Sequence, residues 1–321
     1  MIPLARRRAL LAAGATPLLA AAARAPDLRA RLARLRLGAN LERWFAITRD
    51  NHPRRLGPEW WRGLRAAGFD HARIFVPEVK HTGEGTEVLA MYAEAVGDAV
   101  AAGLPVLLGM TDCLHHSAPW DERDWRAFAA RAAFFAARAD PAHVVLAPLN
   151  EPAFPDTATW LPVRDRLLGM MRRAAPRHVL MWGGREWCSQ ASLLETAPPS
   201  DPNTVAEVHD YAGGDAGAVE GRFAAVAAWR DRHRLPVLVS EINGPQPHAT
   251  DRAAWAADLR QSLPVLRRLR LPAALWAYTH GTWWTLQPGD SPVPHPELRA
   301  VLRTVRSPPP ARGGGGGTAV R

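Results

Sequence analysis

Cysteine is nearly absent. Cys113 and Cys188 are the only two in 321 residues, too few for a disulfide scaffold and without metal-ligand spacing. Both fall just beyond apolar runs, but on the third and fifth of them, so two free thiols are favoured over a single bridge. Lysine is rarer still. Lys80 stands alone, and the formal charge of +9 rests on arginines scattered among alanines and acids rather than on a continuous basic track. That distribution argues for a solvated surface and against nucleic acid or a membrane as partner. No glycine-rich phosphate turn follows the first apolar run, where Gly38-Ala39-Asn40-Leu41-Glu42 stands instead, which argues against a dinucleotide-binding open sheet. No histidine pair has the helical spacing of a zinc protease. Asp112, His115, His116, His209 and Asp210 therefore make a weak metal set, and neither a metal nor any other cofactor is expected.

What is present begins with a leader. Arg6, Arg7 and Arg8 precede an Ala/Leu-rich stretch that ends in Ala23-Arg24-Ala25, so residues 1–25 read as an export signal with a twin-arginine-like start. The stretch is shorter than the roughly 20 residues of a membrane helix and is broken by Pro17. The expected product is a monomer in the periplasm or outside the cell. Residues 26–306 read as one domain, and the Pro- and Gly-rich tail 307–321 as a disordered end with nothing to bury.

Within the domain, eight short apolar runs alternate with longer helical stretches: 37–41, 72–76, 105–110, 143–149, 178–182, 204–209, 236–240 and 273–278. Helices are expected between them, for example over 59–67, 87–102, 121–139 and 218–234. The arginines at 29, 31, 34 and 36 suit a short helix under the first strand. Repetition of strand, helix and short joint over this length predicts an α/β fold, a single-domain (β/α)8 TIM barrel, whose active site lies at the C-terminal strand ends.

Polar residues that end apolar runs are therefore informative. The fourth run leads into Asn150-Glu151-Pro152 and the seventh into Ser240-Glu241-Ile242-Asn243. A carboxylate at the end of a buried strand is costly unless it is paired or functional. Two of them facing each other across one mouth suit glycosidic cleavage, in which one protonates the leaving oxygen and the other attacks the anomeric carbon. Arg73 is the best donor to keep Glu241 ionised, with Tyr211 as a second.

With Ala72-Arg73-Ile74, His209-Asp210-Tyr211 and Gly38-Ala39-Asn40-Leu41 added, five motifs in this order resemble glycoside hydrolase family 5, the cellulase family of clan A. The resemblance implies a retaining enzyme with Glu151 as acid/base and Glu241 as nucleophile, the two carboxyls about 5 Å apart. It implies that Asn150 meets the sugar 2-hydroxyl, that His209 and Tyr211 line the cleavage subsite, and that Trp276 is a sugar platform, with Asn40 and Arg73 supporting. The family's histidine at the third strand end is missing. Either His115 or His116 folds back into that role, or both are exposed loop histidines.

The substrate implied is a β-linked glucan cut in endo-β-1,4-glucanase fashion. A β-mannanase and an exo-β-glucosidase or β-mannosidase are the alternatives within the family, and a non-catalytic carbohydrate-binding barrel is the alternative outside it. The chain also holds 13 tryptophans. Those in helices, Trp60, Trp61, Trp125, Trp229 and Trp255, are expected to pack in the core. Trp276, and with it Trp182, Trp283 or Trp284, is expected to stack on sugar.

Overall fold

A computed structural model describes residues 28–32, 35–42, 56–76, 86–111, 114–279 and 281–306. The leader at 1–25, the tail at 307–321, Asp112 and Cys113 lie outside the described residues. Eight parallel strands close into a barrel in sequence order, β1 (Leu37–Leu41), β2 (His71–Phe75), β3 (Val106–Gly109), β4 (Val144–Ala147), β5 (Val179–Gly183), β6 (Thr204–Asp210), β7 (Val237–Ile242) and β8 (Ala273–Tyr278). Closure is through β1, which pairs with both β2 and β8. The chain is thus the expected (β/α)8 barrel.

The helices are α1 (Leu28–Leu32), α2 (Pro58–Ala66), α3 (Thr86–Ala101), α4 (Glu122–Ala136), α5 (Thr157–Ala174), α6 (Gln190–Leu194), α7 (Ala216–His233), α8 (Arg252–Leu269) and α9 (Pro296–Arg306). Several start on an acidic cap. Asp121 accepts from the backbone of Arg123 and Asp124 while Asp124 accepts from the backbone of Asp121, and Asp156, Asp215 and Asp251 cap α5, α7 and α8. Among the described residues no helix is long and apolar enough to cross a membrane.

Alternation along the strands sorts the core into two layers. Ala72, Ile74, Val144, Leu146, Ala206 and Val208 point outward into the large cluster shared with the helices. Leu107, Val145, Ala147, Val179, Met181, Val205 and Leu238 point inward, and Leu32 of α1 packs against them from below. The short helix expected under the first strand therefore closes the floor. Above this dry layer the inward positions turn polar: Asn40, Arg73, Glu207, Ser240 and Glu241 are all buried.

One strand breaks the alternation. Val208 pairs with Val239 but His209 pairs with Glu241, so Ser240 is an extra residue, a β-bulge in β7. A bulge re-aims the side chains that follow it. Here it lets Ser240 and Glu241, neighbours in sequence, both reach the barrel interior.

Candidate active site

Each interior polar residue comes from a different strand end. Asn40 (β1) donates to the carbonyls of Ser240 (2.8 Å) and Leu275 (3.2 Å), bridging β7 and β8. Its side-chain oxygen accepts from Arg73 Nη1 at 3.1 Å. Arg73 (β2) is fully buried and donates to four groups, the other three being Glu241 Oε1 at 2.5 Å, Asn150 Oδ1 at 2.8 Å and Glu207 Oε2 at 3.2 Å. A buried guanidinium is tolerated only with such pairing, here through both terminal nitrogens. Burial works against its charge, and the carboxylates of Glu207 and Glu241 more than offset that, raising its pKa.

Glu241 (β7) is held on both oxygens. Oε1 accepts from Arg73, and Oε2 accepts from the Tyr211 hydroxyl at 2.5 Å. Burial nevertheless pushes its carboxyl above the usual range, with the charge of Glu151 adding to the rise, against the pull of His209, Arg73 and Tyr211. The donors temper the cost of placing this charge in the interior without cancelling it.

Glu151 reaches the same spot from outside a strand. Because β4 stops at Ala147, Asn150 and Glu151 lie in the following loop rather than at the end of a longer strand. Glu151 adopts a left-handed backbone, φ 42°, uncommon for a residue with a side chain and frequent where a functional group must be aimed. Its side chain is 23% exposed against 3% for Glu241, so Glu151 meets solvent at the mouth while Glu241 sits beneath it.

His209 (β6) links the pair, with Nδ1 2.8 Å from Glu151 Oε1 and 3.6 Å from Glu241 Oε2. One oxygen from each glutamate and one nitrogen of His209 all lie within 4.8 Å of one another. Burial opposes charge on the ring, but Glu241 together with the contacts to Glu151 and Glu207 raises it to about 9. These three are the residues that would hold a metal. Arg73 and Tyr211 already occupy both oxygens of Glu241, which fits a carboxylate served by protein donors better than a metal ligand. Asp210 faces the other side of β6, toward Arg222 at 3.0 Å, and has no part in that cluster.

Aromatic residues frame the mouth. Trp276 (β8) is half-buried, its ring edge-on to Phe75 at 5.5 Å, and its carbonyl accepts from Asn243 at 2.5 Å. Tyr211 packs against Trp284 at 5.1 Å, and Trp283 beside it is 51% exposed. Trp182 is a correction. It is 2% exposed, faces outward from β5 and packs between Trp229 and Arg164, so it is a core residue and not a sugar platform. Trp61, Trp125, Trp229 and Trp255 are buried as expected, and Trp60 is half-buried against Tyr278.

The two loop histidines part company. His115 is half-buried with its ring 5.1 Å from Trp187, whereas His116 is exposed and lines a separate cleft with Trp120, Trp125 and Phe154. Cys188 is a free, fully buried thiol, pushed well up by burial and by the charges of Glu207 and Glu151. Its carbonyl accepts from the backbone of His209 at 2.8 Å. A side chain at Gly183 would put its Cβ 2.3 Å from the Cys188 sulfur, so only glycine fits there. Sequence reasoning passed over Glu207 altogether. The signal was its parity: in Glu207-Val208-His209 the two polar residues share the inward face.

A family model described as Cellulase (glycosyl hydrolase family 5) matches residues 59–281. No curated protein matches the sequence. Among solved structures, endoglucanase Cel5A of the hyperthermophile Thermotoga maritima is similar at 17% identity and a TM-score of 0.71, covering 86% of this chain and 100% of that one. A structure of the same protein with mannotriose gives 16% and 0.69, with 86% and 100% covered. The cellulose synthase subunit Z of Clostridioides difficile gives 17% and 0.66, with 84% and 99% covered. At such identities these likenesses speak for the fold.

Proposed function

The chain belongs to glycosyl hydrolase family 5, and from that premise we propose that it is an exported enzyme that hydrolyses β-1,4-linked glucan with retention at the anomeric carbon. The observation that carries this reading is the approach of Glu151 and Glu241 to within 4.8 Å, the spacing of roughly 5 Å at which the second carboxylate attacks directly instead of activating water. In the first step Glu241 bonds to the anomeric carbon, the bond to the leaving oxygen breaks, and that oxygen takes the proton of Glu151. In the second, Glu151 takes a proton from water, the water oxygen bonds to the same carbon, and Glu241 leaves as a carboxylate.

The surroundings divide these roles. Glu241 is dry, fixed at both oxygens, and aimed by Arg73 and Tyr211. Glu151 is partly solvated and is held through one oxygen, 2.8 Å from His209 Nδ1, which leaves it open to solvent as a group that must gain and lose a proton each cycle requires. Trp276, at the barrel rim, offers the flat face that a pyranose ring stacks on. A β-mannan is the second substrate to try, because a similar structure was obtained with mannotriose bound.

The test is turnover on carboxymethyl-cellulose, β-mannan and xyloglucan, with the anomer of the first product read by proton NMR. The expected result is reducing sugar from the glucan, β anomer first. Replacement of Glu151 or Glu241 by alanine should cut turnover by about a hundredfold or more, with azide restoring part of it. No reducing sugar from any polymer, or an α anomer first, refutes the reading.

A further inference from the structure

The interior holds a third carboxylate that the reaction above does not use. Glu207 is 0% exposed, on β6 two residues before His209, and lies below the layer that a sugar can touch. Its Oε2 gathers every close contact: Ser240 Oγ donates at 2.5 Å, Arg73 Nη2 donates at 3.2 Å, and His209 Nε2 stands 3.7 Å away. Oε1 is buried and has no hydrogen-bond partner among the described residues. A carboxylate sealed in a barrel is expensive to keep, and nothing about packing alone calls for one at this position.

The charges around it show what it does. Arg73 and His209 are buried cations, and both lean on Glu241, at 2.5 Å and 3.6 Å. When Glu241 bonds to the sugar it becomes a neutral ester, and both lose that counter-charge at once. Glu207 is the other carboxylate that touches both and never reacts. The two acids also respond to their shared surroundings in opposite directions: burial wins at Glu241 and raises it, while at Glu207 the pull of Arg73, His209 and Ser240 overcomes burial and lowers it. The ring of His209 is faced by Glu151 from the loop after β4, Glu241 from β7, Glu207 from its own strand and the Arg73 cation from β2.

We propose that Glu207 is a positioning residue for hydrolysis, a permanent buried counter-charge that keeps Arg73 and His209 in place as cations while Glu241 surrenders its own charge to the sugar. The proposal rests on Glu241 being the nucleophile. Ser240 belongs to the device: regular alternation from Leu238 already points its hydroxyl at Glu207, and the β7 bulge that follows turns Glu241 into the mouth beside it.

The experiment reads His209 directly, by carbon–proton NMR of histidine-labelled protein, its signal identified by loss in His209→Asn. Glu241→Gln mimics the neutral ester without requiring a substrate. At about pH 7.5, above the ordinary histidine range, His209 should stay protonated in the wild type and in Glu241→Gln. It should become neutral in the Glu207→Gln/Glu241→Gln double variant, its titration falling by about two to three pH units. A neutral His209 in Glu241→Gln alone, or a protonated one in the double variant, overturns the proposal. If the double variant does not fold, the single one still decides, together with kinetics: Glu207→Asp should recover part of the kcat that Glu207→Gln loses, at little-changed KM. Equal kcat in the wild type and Glu207→Gln also overturns it. Turnover retained by Glu241→Gln would instead remove the nucleophile assignment, an outcome separate from the histidine signal.

Discussion

Replacing His209 with asparagine should remove a fall in folding stability that the wild-type protein shows as pH rises from about 6.5 to about 9. The ring is raised from 6.5 to about 9 by Glu241, Glu151 and Glu207 in the face of its burial. Between those two values the folded protein keeps a proton that the unfolded chain has lost. Stability then declines by about 1.4 kcal/mol per pH unit. Over the whole gap the loss is about 3 kcal/mol. Below about 6.5 both states carry the proton and the contribution is fully present and flat. The assay is urea unfolding at intervals from pH 6 to 9.5, for the wild type and for His209→Asn. Subtracting the curves cancels the other eleven histidines, His209 being one of 12. The difference should slope downward with pH across this window and level off above it. A flat or rising difference would show that the three carboxylates do not hold the ring as a cation, and the electrostatic account of the site would fail with it.

Other perturbations reach the same core from different sides. With Glu241 as the proposed nucleophile, only its ionised form can attack, and since burial raises it, activity should be lost on acidification at a pH above the ordinary glutamate range, while Tyr211→Phe, which deletes a donor, should move that acid limb higher still. A limb that moved lower in the variant would contradict the role of Tyr211. Gly183→Ala should destabilise the fold by about 1–3 kcal/mol through its clash with the Cys188 sulfur, and adding Cys188→Ala should return part of that loss in thermal unfolding. Additive losses would place the strain elsewhere. In a Cys113→Ser background, Cys188 should resist a thiol reagent in the native protein and react fully in denaturant, and fast native labelling would refute its burial.

Much of the barrel was legible because periodicity is a local signal. All eight strands stand within a few residues of the apolar runs, and joints such as Gly68 and Gly103, with φ of 96° and 82°, mark the helix ends that glycine permits. Glu151, Glu241, Arg73, His209 and Tyr211 were found from their places at run ends, and the structure brings all five together. What escaped depends on geometry that spacing does not carry. Ideal alternation from Leu238 sends Ser240 inward and Glu241 outward, and only the bulge overrules it. Trp182 was misjudged for the complementary reason: Met181, not Trp182, takes the inward place on β5. Glu207 was hidden by its neighbours, an acid in the middle of an apolar strand whose partners lie 134 residues back, at Arg73, and 33 residues on, at Ser240.

The extra residue in β7 also limits how this scaffold can be remodelled. Loops at the rim can be exchanged to reshape the groove, but the strand is fixed in length by a second duty: shortening it at Ser240 would restore regular pleating and keep Glu241 inward opposite His209, yet strip Glu207 of its hydroxyl donor.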